Sequence, residues 1–331
     1  MLIRSDNYVE EMKYSGKFEL TNDETGFKSI SPGGYLKYRK NDTSVRAESN
    51  LQGVIEYSIY EGSDKLSIDG RGKARVAEAV REMLAWGFDA GPRMERLYRK
   101  GGSQALIREI DSLKTDPVKI IYLNRLFVID SLSSEDWMAI AKKIGSLGTD
   151  GDKTIFLKKF STTRMLDPQT AQVWFTIVEG MTNDADKGSI LQQILDQDSV
   201  NRLYAGKIMD LASRMGADWD KIVLYQKIIS KGLDSGNRYD SMVEFASRMG
   251  ADIDKINLYQ SLIDQKSITE NQWILVINKT AGLGSDMDKS NLLVLMAQKM
   301  PKTETVKTSY LKAARSIGND SDYGKALRAV N

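Results

Sequence analysis

One tetrad recurs along the chain and constrains its fold more than any other feature. It begins with aspartate and ends with lysine, and successive copies lie 34 residues apart five times and then 36 residues apart. The copies read DPVK at 116, DGDK at 150, DADK at 184, DWDK at 218, DIDK at 252, DMDK at 286 and DYGK at 322. A fixed period of this length is typical of stacked repeats, in which each unit buries its apolar face only against its neighbours.

Apolar residues flank each tetrad at helical spacing. Leu157 and Phe160, for example, stand four and seven residues after the lysine at 153, and apolar residues also stand three and six positions before most of the aspartates. This spacing predicts two amphipathic helices per repeat, with the first pair over 116–128 and 134–147. Tryptophans on the apolar stripe of the second helices are predicted to be core residues, namely Trp137, Trp174 and Trp273.

The aspartate that opens each tetrad is predicted to be a helix N-cap, because it directly precedes a helical pattern and its carboxylate can accept a bond from an orphan N–H group. Pro117, directly after Asp116, supports this prediction, since proline favours the first helical position. The predicted caps are Asp116, Asp150, Asp184, Asp218, Asp252, Asp286 and Asp322.

The lysine of each tetrad has the wrong sign for the positive end of a helix dipole, so its recurrence requires another explanation. We predict that each lysine reaches a carboxylate or carbonyl group of an adjacent repeat and forms a ladder along one edge. An exposed pair contributes about 0 to 1 kcal/mol, so the ladder would mainly set the register of the repeats. Its members are Lys119, Lys153, Lys187, Lys221, Lys255, Lys289 and Lys325.

In the region before the repeats, apolar and polar residues alternate with period two in short stretches separated by turn-forming residues. This pattern predicts about six short antiparallel strands. Their sequences are KFEL, FKSI, YLKYRK, SVRAES, GVIEYSIY and KLSID. From residue 70 the spacing becomes helical, with Val76, Val80 and Met83 on one stripe, and the sheet is expected to pack there as a cap.

The fold class predicted is therefore α+β and mostly α: a small antiparallel β domain caps a TPR/HEAT-like superhelix of α-helical hairpins, an α solenoid with about seven repeats. We predict an N-terminal tail over 1–15, the β domain over 16–69, a helical connector over 70–100 and the solenoid repeat domain over 101–331. The first fifteen residues lack an apolar run of signal-peptide length, and no membrane span is expected within this sequence.

Composition excludes several classes of chemistry. The chain has no cysteine and no histidine, so disulfides, zinc–thiolate sites and imidazole-based triads are impossible. The 47 basic and 45 acidic residues leave a net charge of only +2, which gives no strong field for nucleic acid or anionic membrane. We expect no catalytic residue, no cofactor and no metal site, and therefore no enzyme activity.

The position directly after the tetrad aspartate becomes large and apolar toward the C-terminus. A first-turn position commonly faces solvent, so Trp219, Ile253, Met287 and Tyr323 are candidates for a partner-binding stripe. Packing of each side chain on the neighbouring hairpin is the alternative, and at this point it is the preferred interpretation.

Parts of the chain resemble uncharacterised bacterial envelope-associated proteins that carry a small N-terminal β domain and Ser-Asp-x-x-Lys helical repeats. The matching stretches are SGKFELTNDETGFKSISPGGYLKYRK, RVAEAVREML, PRMERLYRKGGSQALIREI, SDMDK at 285 and SDYGK at 321. Five repeats depart from the serine, with Thr115, Thr149, Asn183, Ala217 and Ala251 in its place. The resemblance implies a periplasmic or extracytoplasmic role in regulation or protein interaction.

The leading functional hypothesis is a non-enzymatic interaction or scaffold module that binds a protein or peptide along its repeats. The resemblance adds a sensor or regulatory ectodomain of a membrane signalling system as the alternative. A carboxylate-dependent hydrolase and a nucleic-acid-binding helical array that uses the basic connector are minor hypotheses. Acidic residues interleave with the connector's cations, which favours a solvated face there.

Overall fold

The computed structural model describes residues 1–5, 8–160, 164–233 and 238–330, and its fold is α+β, a small antiparallel β domain followed by an array of helical hairpins. The strands are β1 (Leu2–Ser5), β2 (Tyr8–Ser15), β3 (Phe18–Leu20), β4 (Phe27–Ile30), β5 (Tyr35–Lys40), β6 (Thr43–Ser49), β7 (Ile55–Glu61) and β8 (Asp64–Leu66). The helices are α1 (Gly70–Ala85), α2 (Ala90–Glu109), α3 (Asp116–Phe127), α4 (Ser134–Gly145), α5 (Asp150–Lys159), α6 (Pro168–Gly180), α7 (Asp184–Asp196), α8 (Asn201–Ser213), α9 (Asp218–Ser230), α10 (Arg238–Ser247), α11 (Asp252–Ile263), α12 (Glu270–Thr280), α13 (Asp286–Lys299), α14 (Glu304–Ala314) and α15 (Asp320–Val330).

The strands form a six-stranded antiparallel sheet in the order β1-β2-β5-β6-β7-β8, and β3 and β4 pair as a separate hairpin. The six strands predicted between residues 16 and 69 are all present as β3 to β8. The tail predicted over 1–15 is wrong, because this segment contributes β1 and β2 to the sheet. Its alternation is hidden in the sequence because an inward-facing position of β2 holds the charged residue Glu10, which is fully buried.

Burial of Glu10 is compensated by donors from distant parts of the chain. Tyr38 Oη donates to its carboxylate at 2.6 Å, Trp86 Nε1 at 2.8 Å and Lys114 Nζ at 3.2 Å, and Tyr8 Oη donates as well. Burial alone raises the pKa of Glu10, but these hydrogen bonds lower it further than burial raises it. The paired carboxylate therefore connects the sheet to the end of α1 and to the segment before α3.

Helix α1 lies on the inner face of the sheet. Its buried residues Val76, Val80 and Met83 join one apolar cluster with Leu36 and Ile59 of the strands, which confirms the predicted stripe. Cations of the predicted connector form ion pairs with nearby acids: Arg71 and Arg75 with Glu61, and Arg93 and Arg96 with Glu24.

The chain divides into two compact units, Met1–Ser146 and Leu147–Asn331, and the boundary falls inside the region predicted as solenoid. In the second unit the first helices of successive repeats contact one another in the order α5, α7, α9, α11, α13 and α15. The second helices α10, α12 and α14 also contact in order. In the first unit α3 and α4 match the helix pair predicted over 116–128 and 134–147. The tryptophans predicted to be core residues, Trp137, Trp174 and Trp273, are all buried.

Among the described helices, none combines the length and the apolar character needed to cross a bilayer.

Candidate functional site

From Asp116 to Asp286 the tetrad aspartate is the first residue of its helix, one position after the actual N-cap. In α5, α7 and α13 the cap is the preceding residue, respectively Thr149, Asn183 and Ser285, whose side chain accepts a bond from the backbone N–H of the third helical residue. The N-cap prediction is therefore wrong by one residue wherever the aspartate opens a helix. This correction applies to Asp116, Asp150, Asp184, Asp218, Asp252 and Asp286.

The aspartate carboxylate binds the repeat that follows. Oδ2 of Asp150 accepts the backbone N–H groups of Thr182 at 2.6 Å and Asn183 at 2.9 Å, which are the two residues before α7. Oδ2 of Asp184 accepts Gly216 N–H at 2.6 Å and Ala217 N–H at 3.0 Å in the same way. We call this arrangement the aspartate clip.

The clip recurs along the second unit. Asp252 and Asp286 each accept both N–H groups, at 2.6 to 3.2 Å. Asp218 makes a looser version with one N–H group, that of Gly250, at 3.5 Å. Because each bond joins residues 32 or 33 apart, the clips connect successive repeats directly.

The tetrad lysine pairs with the aspartate of its own tetrad. Among the described residues, the predicted ladder between repeats is therefore wrong for Lys119, Lys153, Lys187, Lys221 and Lys255. The Nζ–Oδ1 distance lies between 2.9 and 3.5 Å for Lys119, Lys153, Lys187, Lys221, Lys255 and Lys289. Lys289 also donates to the Ser316 carbonyl of the next repeat. The inter-repeat bond that recurs is that of the aspartate, and the lysine holds its other carboxylate oxygen.

In the last repeat the predicted aspartate, Asp322, is wrong by two residues. Asp286 Oδ2 accepts the N–H groups of Gly318 and Asn319, and α15 begins at Asp320. Asp320 is therefore the equivalent of the other tetrad aspartates, and Asp322 is the third residue of its helix. Lys325 is therefore the sixth residue of α15, and it donates to the Asn291 Oδ1 carbonyl oxygen of the preceding repeat, which confirms the predicted inter-repeat contact for this lysine.

The clip explains a second sequence feature, a glycine two residues before most tetrads. A Cβ atom on Gly216, Gly284 or Gly318 would lie only 3.2 to 3.3 Å from the clip oxygen. Thr182, at the equivalent position, is compatible with the clip because its own hydroxyl donates to Asp150 Oδ2 at 3.0 Å. Glycine at this position is therefore the sequence signal that could have revealed the clip.

Hydrogen bonds lower the pKa of four clip carboxylates, those of Asp150, Asp184, Asp252 and Asp286. Burial raises the pKa of Asp150, but the N–H groups of Asn183 and Thr182 lower it further, well below its usual range. At Asp252 the Lys255 ammonium group is the largest cause of a lowered pKa. A charged acceptor forms shorter and stronger hydrogen bonds than a neutral one, so ionisation strengthens each clip.

The residue after the tetrad aspartate is solvent-exposed in every repeat. Trp219, Ile253 and Met287 are 65%, 62% and 59% exposed. The preferred interpretation, packing on the neighbouring hairpin, is therefore wrong for these three residues. The fourth candidate, Tyr323, is half-buried and stands at the position equivalent to the lysine, whereas Ser321 is the true equivalent. We call Trp219, Ile253 and Met287 the apolar row.

The clips determine why the apolar row faces solvent. Helices α5, α7, α9, α11 and α13 begin at a clipped aspartate, and their buried apolar residues start only after the first turn, for example at Ile222 in α9 and Leu258 in α11. Helices α9, α11 and α13 are consecutive neighbours. Packed helices lie roughly 8 to 10 Å apart, so we expect the three side chains of the row to repeat at about that interval.

No protein-family model matches the chain, and no curated protein matches its sequence.

Replacing a clip aspartate is expected to destabilise the second unit far more than replacing its neighbour. We expect Asp184→Ala to lower the free energy of unfolding by about 2 kcal/mol, because hydrogen bonds to a charged group are lost. The matched change Asp186→Ala removes only a favourable charge near the helix N-terminus and should cost about 0.5 kcal/mol. Urea unfolding followed by circular dichroism measures both, and equal losses would contradict the role of the clip.

Two glycine-to-alanine changes should alter the free energy of unfolding in opposite directions. In Gly284→Ala the new Cβ crowds Asp252 Oδ2 at 3.2 Å, and we expect a loss of about 1 kcal/mol. Gly151 lies inside the first turn of α5 with open space around it, so Gly151→Ala should gain about 0.5 to 1 kcal/mol from helix propensity. Thermal unfolding of both variants tests the pair, and stabilisation by Gly284→Ala would show that the clip tolerates a side chain.

Acid should weaken the clips. Because the pKa of Asp150 is lower in the folded than in the unfolded chain, its contribution is complete above the unfolded value of about 3.9 and is lost as pH falls through the folded pKa. Free energies of unfolding measured from pH 5 to pH 3 should therefore decrease more steeply for the wild type than for Asp150→Asn. If the unfolding free energy of the two proteins depended on pH in the same way, the lowered pKa of Asp150 would be contradicted.

Proposed function

We propose that the chain is a protein-interaction module whose second unit binds a partner protein along the apolar row. The observation that carries this proposal is the exposure of three large apolar side chains at the same position of three adjacent repeats. Water-exposed apolar side chains that lie side by side are typical of interaction sites, whereas isolated ones are common on any surface.

The fold itself does not require apolar residues in the row. At the equivalent positions the earlier repeats have Pro117, Gly151 and Ala185, and all three are exposed. Because small residues satisfy the same position in those repeats, large apolar side chains at 219, 253 and 287 add nothing to the core. Binding to another molecule is a role that fits them, since large aromatic and aliphatic side chains serve as interface anchors.

The tetrad carboxylates support a binding function over catalysis. Those of Asp150, Asp184, Asp252 and Asp286 are each engaged by backbone N–H groups and a lysine. They are thus positioned to hold repeats together. The periplasmic location and the sensor role implied by the resemblance stay predictions.

The experiment compares two triple variants of the full chain. Trp219→Ser, Ile253→Ser and Met287→Ser together remove the apolar row. Ile155→Ser, Leu166→Ser and Leu203→Ser remove three exposed apolar side chains of the same unit that occupy unrelated positions. Proteins captured from extract of the native cells by the wild type are identified, purified and titrated against all three chains.

We expect the identified partner to bind the row variant at least about tenfold more weakly than the wild type, which is about 1.4 kcal/mol. The control variant should bind within about twofold, and both variants should keep their unfolding free energy within about 0.5 kcal/mol because the changed residues are exposed. Equal binding by all three chains would contradict the proposal. Unfolding of the row variant would show that the row is structural.

A further inference from the structure

We infer that the segment bound by the apolar row is an amphipathic α-helix with an apolar side chain every seventh residue, flanked by lysine or arginine. This deepens the proposed function and rests on it. Two features carry it: the interval between the row's side chains and the carboxylates that lie beside them.

The interval matches a helix that crosses the three repeats. Helices α9, α11 and α13 contact one another in order, and packed helices lie roughly 8 to 10 Å apart, so we expect Trp219, Ile253 and Met287 to repeat at about that distance. In an α-helix, residues seven positions apart lie on nearly the same face and are separated by about 10.5 Å. A partner helix of three heptads would therefore meet all three side chains on one stripe.

Other peptide conformations fit less well. Same-face residues of a β-strand are separated by about 6.7 or 13 Å, and strand addition also needs an exposed sheet edge, whereas the described part of the second unit is helical. A polyproline helix repeats at about 9.3 Å but docks into aromatic-lined grooves. The row instead consists of protruding side chains of three types, one of which is aromatic. Protruding side chains insert into the spaces between side chains on a facing helix.

The charge beside the row is negative. Asp220, Asp254 and Asp288 directly follow the row residues, and within the described ranges none of their carboxylates forms a hydrogen bond to a side chain or an ion pair. The neighbouring tetrad lysines cannot neutralise them, since Lys221, Lys255 and Lys289 pair with the clip aspartates. A stripe of lysine or arginine beside the partner's apolar stripe complements these carboxylates.

The test uses designed peptides labelled for fluorescence anisotropy and titrated with the full chain. The first has leucine at every seventh position over three heptads, with lysine on one flank. The second keeps its composition but places leucine at every fifth position. The third replaces lysine by glutamate, and the fourth is proline-rich with leucine at every third position.

We expect the first peptide to bind at least about tenfold more tightly than each of the other three. Its affinity should also fall about tenfold in the row variant and in Asp220→Asn/Asp254→Asn/Asp288→Asn, whereas the Ile155/Leu166/Leu203 control variant should bind it like the wild type. Equal binding of the first and second peptides, or stronger binding of the proline-rich one, would contradict the inference that the partner segment is a helix. Equal binding of the lysine and glutamate peptides would overturn the charge assignment.

The outcome also separates this inference from the proposed function. The helical partner is wrong if the native partner depends on the row but is not displaced by the first peptide, and in that case the interaction module remains supported. If neither the native partner nor any peptide distinguishes the row variant from the wild type, the row is not a binding surface and both proposals fail.

Discussion

A carboxylate that accepts two backbone N–H groups of the next repeat is the interaction on which the second unit depends. Those N–H groups precede a helix, where no backbone acceptor is available to them, and the charged oxygen satisfies both at once. The opposite oxygen is held by the lysine three residues along, so the carboxylate has a fixed orientation. Asp150 and its equivalents thereby set where each first helix begins relative to the helix before it.

The clip also determines which side chains reach the surface. Helices α5, α7, α9, α11 and α13 start at a clipped aspartate, and the residue that follows it is exposed in all five, from Gly151 to Met287. Buried apolar residues begin one turn later, with Ile222 in α9 and Leu258 in α11. A surface row on adjacent repeats is therefore a geometric consequence of the register that the clips impose.

Local patterns in the sequence are sufficient to predict most strands and helices, because strand and helix periodicities are encoded by neighbouring residues. The bounds of β4, Phe27–Ile30, and of α3, Asp116–Phe127, follow from alternation and from helical spacing. The partner of the aspartate does not follow from local periodicity, because its bond crosses 32 residues and goes to the backbone; its sequence signal is the glycine two residues before the next tetrad, as at Gly216. The strand β2 was missed for a related reason: Glu10 is buried only because Tyr38, Trp86 and Lys114 come from distant segments.

The apolar row shows why exposure is the harder property to infer from a sequence. Tryptophan, isoleucine and methionine occur in cores and at interfaces alike, so residue type alone favours burial. The comparison between repeats gives the better signal, since Gly151 and Ala185 occupy the same position and a buried site would not accept such a range of volumes without forming cavities. A position that tolerates glycine in one repeat and tryptophan in another carries no packing constraint. Large apolar side chains that appear there on three successive repeats thus point to a contact outside the chain.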